Sequence, residues 1–278
     1  MKYFFISDVH GEYDKMILAL AEEGFDMDKD TLVSLGDPFD RGPKSKEVLE
    51  FIMACPHHII VIGNHDWRLM HLLHKPVYFD QYDIANGVPA TYKSFLGIPQ
   101  EQGKMAWEAF EELSGYELLH QYFEEAVLYV EFKDFVAVHA WIPYNNYRKI
   151  NLEPYRNPFT GETDWRKATR ADWYDATWAH TQNCINNGLF ITKKRLVIGH
   201  WHAWRLAEAA GEKREDKDPK KAMYYKNGHY TYINCDIYYD DRIIALDGCS
   251  NWPNGGKVNV LTYETDEEPQ TLLLRDCR

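Results

Sequence analysis

Four runs of β-forming residues, each ending in side chains able to bind metal, constrain this chain most. They are FFISDVHG at Phe4–Gly11, LVSLGDPFDRG at Leu32–Gly42, IIVIGNHD at Ile59–Asp66 and LVIGHWH at Leu196–His202. The first three alternate with helical patterns. Strands are expected at 2–7, 31–35 and 58–62, and helices near 13–23, at 44–54 and from His65 onward. Tyr13, Met16, Ile17 and Leu20 form the apolar stripe of the first helix and Gly24 its stop, while Val48, Leu49 and Ile52 serve the second. A β-α-β-α-β order predicts parallel strands with right-handed crossovers. The functional loops of such a sheet lie beyond the carboxyl ends of its strands, where DVH, GDPFDRG and GNHD all fall.

Beyond this unit the pattern changes. Residues 75–125 read as helical segments rich in Tyr, Phe and Glu, broken at Gly87, Pro89, Gly97 and Pro99, and are expected to form a helical insertion capping the site. Strands resume at 126–132 and 134–139 as a hairpin ending at His139, and again at 195–199, ending at His200. Residues 141–192 are irregular and helical, and 211–221 (GEKREDKDPKK) is a solvated loop. Late strands at about 230–237, 242–247 and 257–263 are expected to pair antiparallel in a second sheet. The 278 residues suit one large domain, 1–278, containing that insertion.

A net charge of −12 excludes broad binding to a nucleic-acid duplex, which needs a basic footprint, but not a phosphorylated small molecule or protein held by a local metal charge. The opening MKYFFISDVHGEYD reaches acidic residues too early for a signal peptide, and no apolar run is long enough to span a membrane. Cys55, Cys184, Cys235, Cys249 and Cys277 are odd in number and scattered, as reduced thiols of a cytoplasmic protein would be.

Taken singly, the polar strand ends have ordinary explanations. Asp8 and Asp37 could cap helices, and His139 could be a core histidine. Together they need one cause. Asp8, His10, Asp37, Asn64, His139, His200 and His202 supply the oxygen and imidazole donors that hard divalent cations take, and a bridging carboxylate can hold two cations. Asp37 is the natural bridge. His200 and His202 are separated by one residue, so on an extended segment both point to one face. His57, His58, His71, His74, His120 and His229 lie outside every block and receive no role. Trp67, Trp141, Trp201 and Trp204 adjoin the blocks and read chiefly as packing, although a tryptophan-lined pocket would suit a nucleobase. Asp66 is expected to orient neighbours, and Asp247 with Gly248 to support the site structurally.

DVHG, GDPFDRG, GNHD, VHA and GHWH, in that order from residue 8 to 202, resemble the five signature blocks of the calcineurin-like metallophosphoesterase superfamily. Asp40-Arg41-Gly42 is similar to the phosphoprotein-phosphatase branch, which includes bacterial serine/threonine phosphatases and diadenosine tetraphosphate hydrolases. The resemblance implies an α/β fold, a four-layer αββα sandwich of two mixed sheets. It implies one metal on Asp8, His10 and Asp37 and a second on Asp37, Asn64, His139 and His200, with His202 completing the first. The ions would be manganese first, with iron, zinc, cobalt or nickel as alternatives, and a hydroxide between them would attack phosphorus in line. His65 would protonate the leaving oxygen, Asp40 would pair with His65, and Arg41 would clamp the phosphoryl group together with Asn64 and His65.

The chain departs from that branch in carrying a second histidine, His202, and in having His180 where a second phosphate-binding arginine is usual; Arg148, Arg166 or Arg170 could substitute. The expected activity is that of a serine/threonine-protein-phosphatase-like phosphomonoesterase. A dinucleoside polyphosphate hydrolase is the alternative, and an inactive metal-binding scaffold the reading from another class.

Overall fold

A computed structural model describes residues 1–74, 79–97, 107–144, 164–189, 192–211, 222–226, 229–233, 235–252 and 255–277. The expected alternation opens the chain: β1 (Lys2–Ile6), α1 (Tyr13–Glu22), β2 (Thr31–Ser34), α2 (Ser45–Ala54), β3 (His58–Ile60) and α3 (Asn64–Leu72). Helices α4 (Gln81–Asn86), α5 (Val88–Leu96), α6 (Trp107–Ser114) and α7 (Glu117–Glu125) make up the insertion. The hairpin β4 (Val127–Glu131) and β5 (Phe135–Val138) follows, then α8 (Arg170–Thr177), α9 (Thr181–Asn186), β6 (Arg195–Ile198) and α10 (Ala203–Ala209). The last strands are β7 (Ala222–Lys226), β8 (His229–Ile233), β9 (Tyr238–Tyr239), β10 (Ile243–Ala245), β11 (Leu261–Glu264) and β12 (Gln270–Leu273).

Two mixed sheets result. One has the order β11-β1-β2-β3 and the other β12-β4-β5-β6-β10-β9. In the first, β1, β2 and β3 are parallel and β11 runs antiparallel to β1. In the second, β5, β6 and β10 are parallel, while β4, β9 and β12 pair antiparallel. Strand alternation assigns the layers. Tyr3, Phe5, Val33 and Leu35 face across to Val130, Phe135, Ala137 and Val197 in one core between the sheets. Phe4, Ile6 and Leu32 turn the other way onto Met16, Leu20, Val48 and Ile52 of α1 and α2. Val136, Leu196 and Ile198 pack with Trp165, Trp173 and Cys184 on the far side. The expected α/β four-layer arrangement is present.

The late strands correct one expectation. They do not pair together in the second sheet: β10 lies parallel to β6, β11 joins the first sheet beside β1, and β8 forms a separate ribbon with β7. Strand partners here are chosen by burial across the whole chain, which a local pattern does not carry. Most of 211–221, and residues 75–78 and 98–106 of the insertion, lie outside the described residues. Among the described residues no helix is long and apolar enough to cross a membrane.

Candidate active site

The carboxyl ends of β1, β2, β3, β5 and β6 converge, and the chain turns sharply at each. Seven non-glycine residues have positive φ: Asp8, His10, Asp37, Asp40, Arg41, His200 and Cys249. Left-handed backbone costs an L-residue about 1–3 kcal/mol and is tolerated best by short polar side chains. Six of the seven are residues singled out from the sequence, so the strain is confined to the loops that aim them.

Glycine and backbone bonds lock these loops together. A Cβ on Gly63 would run into the Asp37 carboxylate, and one on Gly36 would come within 2.6 Å of the Gly63 backbone. The Asp8 N–H donates to Gly36 O at 3.1 Å, His10 N–H to Asp37 O at 3.0 Å, and His65 N–H to Asp37 Oδ1 at 2.9 Å. His200 N–H donates to Asp8 Oδ2 at 2.8 Å, tying the fifth block to the first. Asp66 orients its neighbours, as expected. Its Oδ2 accepts from Gly63 N–H at 2.8 Å and Asp37 N–H at 3.1 Å, which fixes the start of α3 beside the site.

The side chains gather on Asp37. Its Oδ2 is 4.0 Å from His10 Nε2, 3.9 Å from His65 Nε2 and 3.4 Å from His139 Nε2. Asp8 Oδ1 is 4.0 Å from His10 Nε2, and Asn64 Oδ1 is 2.8 Å from His139 Nε2. Each of these imidazoles uses Nδ1 elsewhere: His10 donates to Phe39 O at 2.7 Å, His139 to Leu35 O at 2.7 Å and His65 to Asp40 Oδ2 at 2.6 Å. Fixing Nδ1–H leaves Nε2 as the inward donor atom, the usual preparation of a metal-binding histidine.

The electrostatics agree. Burial, then the Asp247 charge, with Asp37 adding, push the Asp8 carboxyl up to about 8 although His139 opposes them. Burial also disfavours charge on Asp37, but His139, His65 and His10 hold its carboxyl well below the usual range. Burial would lower His139, yet the Asp37 and Asp8 charges raise it to about 10. Desolvation and the His139 charge bring His200 down to about 3, and burial with Arg41 and His65 holds His10 well below normal. The cluster therefore draws protons onto Asp8 and His139 to offset buried negative charge, while His10 and His200 stay neutral. Cations would do the same more fully, so the donor set fits two hard divalent ions. Three groups of donor atoms lie close enough to hold an ion among the described residues, and two of them share Asp37: His10, Asp37 and His65, and Asp37, His139 and His200.

His202 stands apart from both. Its Nδ1 lies 2.8 Å from Asp247 Oδ2, and it groups instead with Asp247 and Cys249. Asp247 is thus a direct partner of a candidate ligand. The Asp-Gly after a late strand hinted at it, but only the parallel pairing of β10 with β6 brings it to His202. Arg41 lies among the cluster histidines. Nη1 donates to His10 Nε2 at 2.8 Å and Nη2 to His65 Nε2 at 3.1 Å, so the fork faces the imidazoles. Thr91 was missed altogether. From α5 its hydroxyl donates to Asp40 Oδ1 at 2.7 Å and accepts from Asp40 N–H at 2.8 Å. Gly87 O likewise accepts from Arg41 N–H at 3.1 Å. Residues of α5 and the turn before it thus brace the Asp40–Arg41 loop.

Of the candidates for a second phosphate contact, Arg166 is committed to Glu131, with Nε–Oε2 at 2.7 Å. Arg170 lies over the Trp67 ring, 5.1 Å from its centroid. His180 caps α9, with its ring 3.8 Å from that of Trp201. Arg148 is outside the described residues.

The calcineurin-like phosphoesterase family model matches residues 1–204. The chain is 33% identical over 144 residues to the symmetrical bis(5'-nucleosyl)-tetraphosphatase of Vibrio vulnificus, covering 51% of this chain and 45% of that protein. It is 45% identical over 71 residues to the enzyme of the same name from Klebsiella pneumoniae, covering 25% of each. It thus spans less than half of the curated relatives it matches. A solved structure of the cold-active protein-tyrosine phosphatase of a psychrophile Shewanella species aligns over 98% of this chain and 80% of that one, with 18% identity and a TM-score of 0.46. With the five blocks converging on Asp37 and the family model covering most of the sequence, the chain belongs to the calcineurin-like phosphoesterase family.

Proposed function

We propose that this chain is a metal-dependent hydrolase of phosphate esters and anhydrides, acting on a nucleotide substrate of the dinucleoside polyphosphate type. The observation that carries it is the single Asp37 carboxylate shared between His10 and His139 at 4.0 and 3.4 Å, which is the arrangement a two-metal site requires. Asp8 and His10 would hold one ion, Asn64, His139 and His200 the other, and Asp37 both, while His202, paired with Asp247, lies outside both groups. When bound, the ions lower the pKa of a water and polarise the phosphoryl oxygens.

The remaining work falls to this chain's own residues. Arg41 would transfer its fork from the two imidazoles to the phosphoryl oxygens, where a planar bidentate donor fits best. Once Arg41 has turned to the phosphoryl group, His65 would take a proton from water at the vacated Nε2 and hand it to the leaving oxygen, with Asp40 fixing its Nδ1 at 2.6 Å. Thr91 orients Asp40 in turn. The relatives named above support the nucleotide alternative over the phosphoprotein substrate expected from Asp-Arg-Gly. The five cysteines are free, which fits a cytoplasmic location.

Manganese-loaded protein should hydrolyse diadenosine tetraphosphate and, more slowly, para-nitrophenyl phosphate. Failure on both with manganese, iron, zinc, cobalt and nickel would leave the inactive-scaffold reading in its place.

A further inference from the structure

Between α3, α4 and α8 lies a cleft of about 370 Å³ lined by Arg68, Asp80, Tyr82, Tyr174, Asp175 and Trp178. The volume sits in the lower part of the range for small-molecule sites, roughly 300–1,000 Å³. Tyr82 and Tyr174 are 49% and 43% exposed, two of only five large apolar side chains so exposed among the described residues. Aromatic rings placed merely for packing would hide their faces. Here the Tyr82 and Tyr174 centroids stand 6.0 and 6.3 Å from that of Trp178, tilted by 46° and 57°. Trp67 meets Tyr174 edge-on at 5.6 Å and buttresses it from behind. The pocket-forming aromatics are therefore not the tryptophans beside the sequence blocks.

Its charge selects the kind of occupant. Arg68 spends its guanidinium on the buried Asp83 carboxylate, at 2.6 and 2.7 Å, while Asp80 and Asp175 add carboxylates to the wall. Such a lining carries net negative charge, which repels a phosphate and favours a flat, neutral ring. A two-ring base covers more of the three aromatic faces than a pyrimidine.

Position links the cleft to the reaction. Arg68 is one turn beyond His65 on the same side of α3. Tyr82 stands five residues before Gly87, which holds Arg41, or about 8 Å along the helix.

We propose that the cleft between α3, α4 and α8 is a purine subsite, holding the base of the nucleotide whose phosphate lies at Arg41 and His65. The inference rests on the nucleotide reading above and deepens it. Base–aromatic stacking is worth about 10-fold or more in affinity per base.

The test compares diadenosine tetraphosphate with acetyl phosphate, which has no ring, using the full manganese-loaded chain. In Trp178→Ala, and in the exposed-site variant Tyr82→Ala, the KM ratio of nucleotide to acetyl phosphate should rise about 10-fold or more. A ratio unchanged in both variants overturns the subsite while leaving the hydrolase reading intact. If the wild-type chain cleaves acetyl phosphate but no nucleotide, the substrate reading fails, and calorimetry of the chelated protein decides the cleft. Binding of adenosine monophosphate tighter than orthophosphate and uridine monophosphate, lost in Tyr82→Ala, supports it. Equal binding of all three overturns it.

Discussion

The catalytic cluster and the aromatic cleft are neighbours built by opposite means. The cluster uses short charged side chains, buried, on left-handed backbone at strand ends, each held by hydrogen bonds from another loop. The cleft uses exposed rings on helices α4 and α8, with ordinary backbone and few such constraints. The first is suited to hold charge in fixed geometry, where displacement is expensive. The second is suited to recognise a face. On the proposed reading, chemistry and selection fall to different parts of one fold that share α3 and the end of α4.

The sharpest way to break this division is at the shared carboxylate. Asp37→Asn should reduce turnover by about 10³-fold or more, the several kcal/mol a metal centre supplies, on nucleotide and acetyl phosphate alike. An effect confined to the nucleotide would mean that the two regions are not separable. Next in size is His65→Ala, with a loss of about 10²–10³-fold. The loss should be greater for alkyl phosphates, whose leaving oxygen needs a proton, than for para-nitrophenyl phosphate. Equal losses on both would remove His65 as the general acid.

Thr91 sits on the helical side of the comparison but serves the chemical side. Thr91→Val should lower kcat about 10-fold with little change in KM, and Thr91→Ser should restore it. A KM effect instead would assign α5 to substrate binding.

The smallest expected effect is on stability. Asp8 moves from 3.8 to about 8 on folding and His139 from 6.5 to about 10. Between pH 7 and 9 the folded chelated protein therefore binds more protons than the unfolded chain, and stability must fall as pH rises. His10 and His200 are neutral when folded and largely neutral when unfolded, so they oppose this slope only slightly near pH 7 and not above pH 8. Thermal melts of chelated protein should drop by a few degrees over this window. Saturating manganese should flatten that slope, because it takes the place of the protons. A melting temperature rising with pH in chelator would refute the buried-charge assignment.

What was legible in the sequence follows the same division. Asp8, His10, Asp37, Asn64 and His139 stand within short contiguous runs, where an apolar strand and the polar residues after it are read together. Their aim depends on local turns that Asp and His tolerate. Thr91, Tyr82 and Tyr174 could not be read this way, since each sits in a helix of unremarkable composition and reaches its partner only through packing. Asp247 lay between: its strand end was visible, but its place beside His202 required β10 to pair with β6 rather than with its sequence neighbours. Arg41 was legible from the Asp-Arg-Gly run, yet its orientation toward His10 and His65 is a matter of side-chain geometry alone.

The central claim is that Asp37 joins two cation sites, and metal content tests it without relying on turnover. After equilibration with manganese and dialysis, elemental analysis of the wild-type chain should give two ions per chain, and Asp37→Asn, folded by circular dichroism, should retain at most one. Two ions held undiminished by Asp37→Asn, or none held by the wild-type chain, would contradict the account.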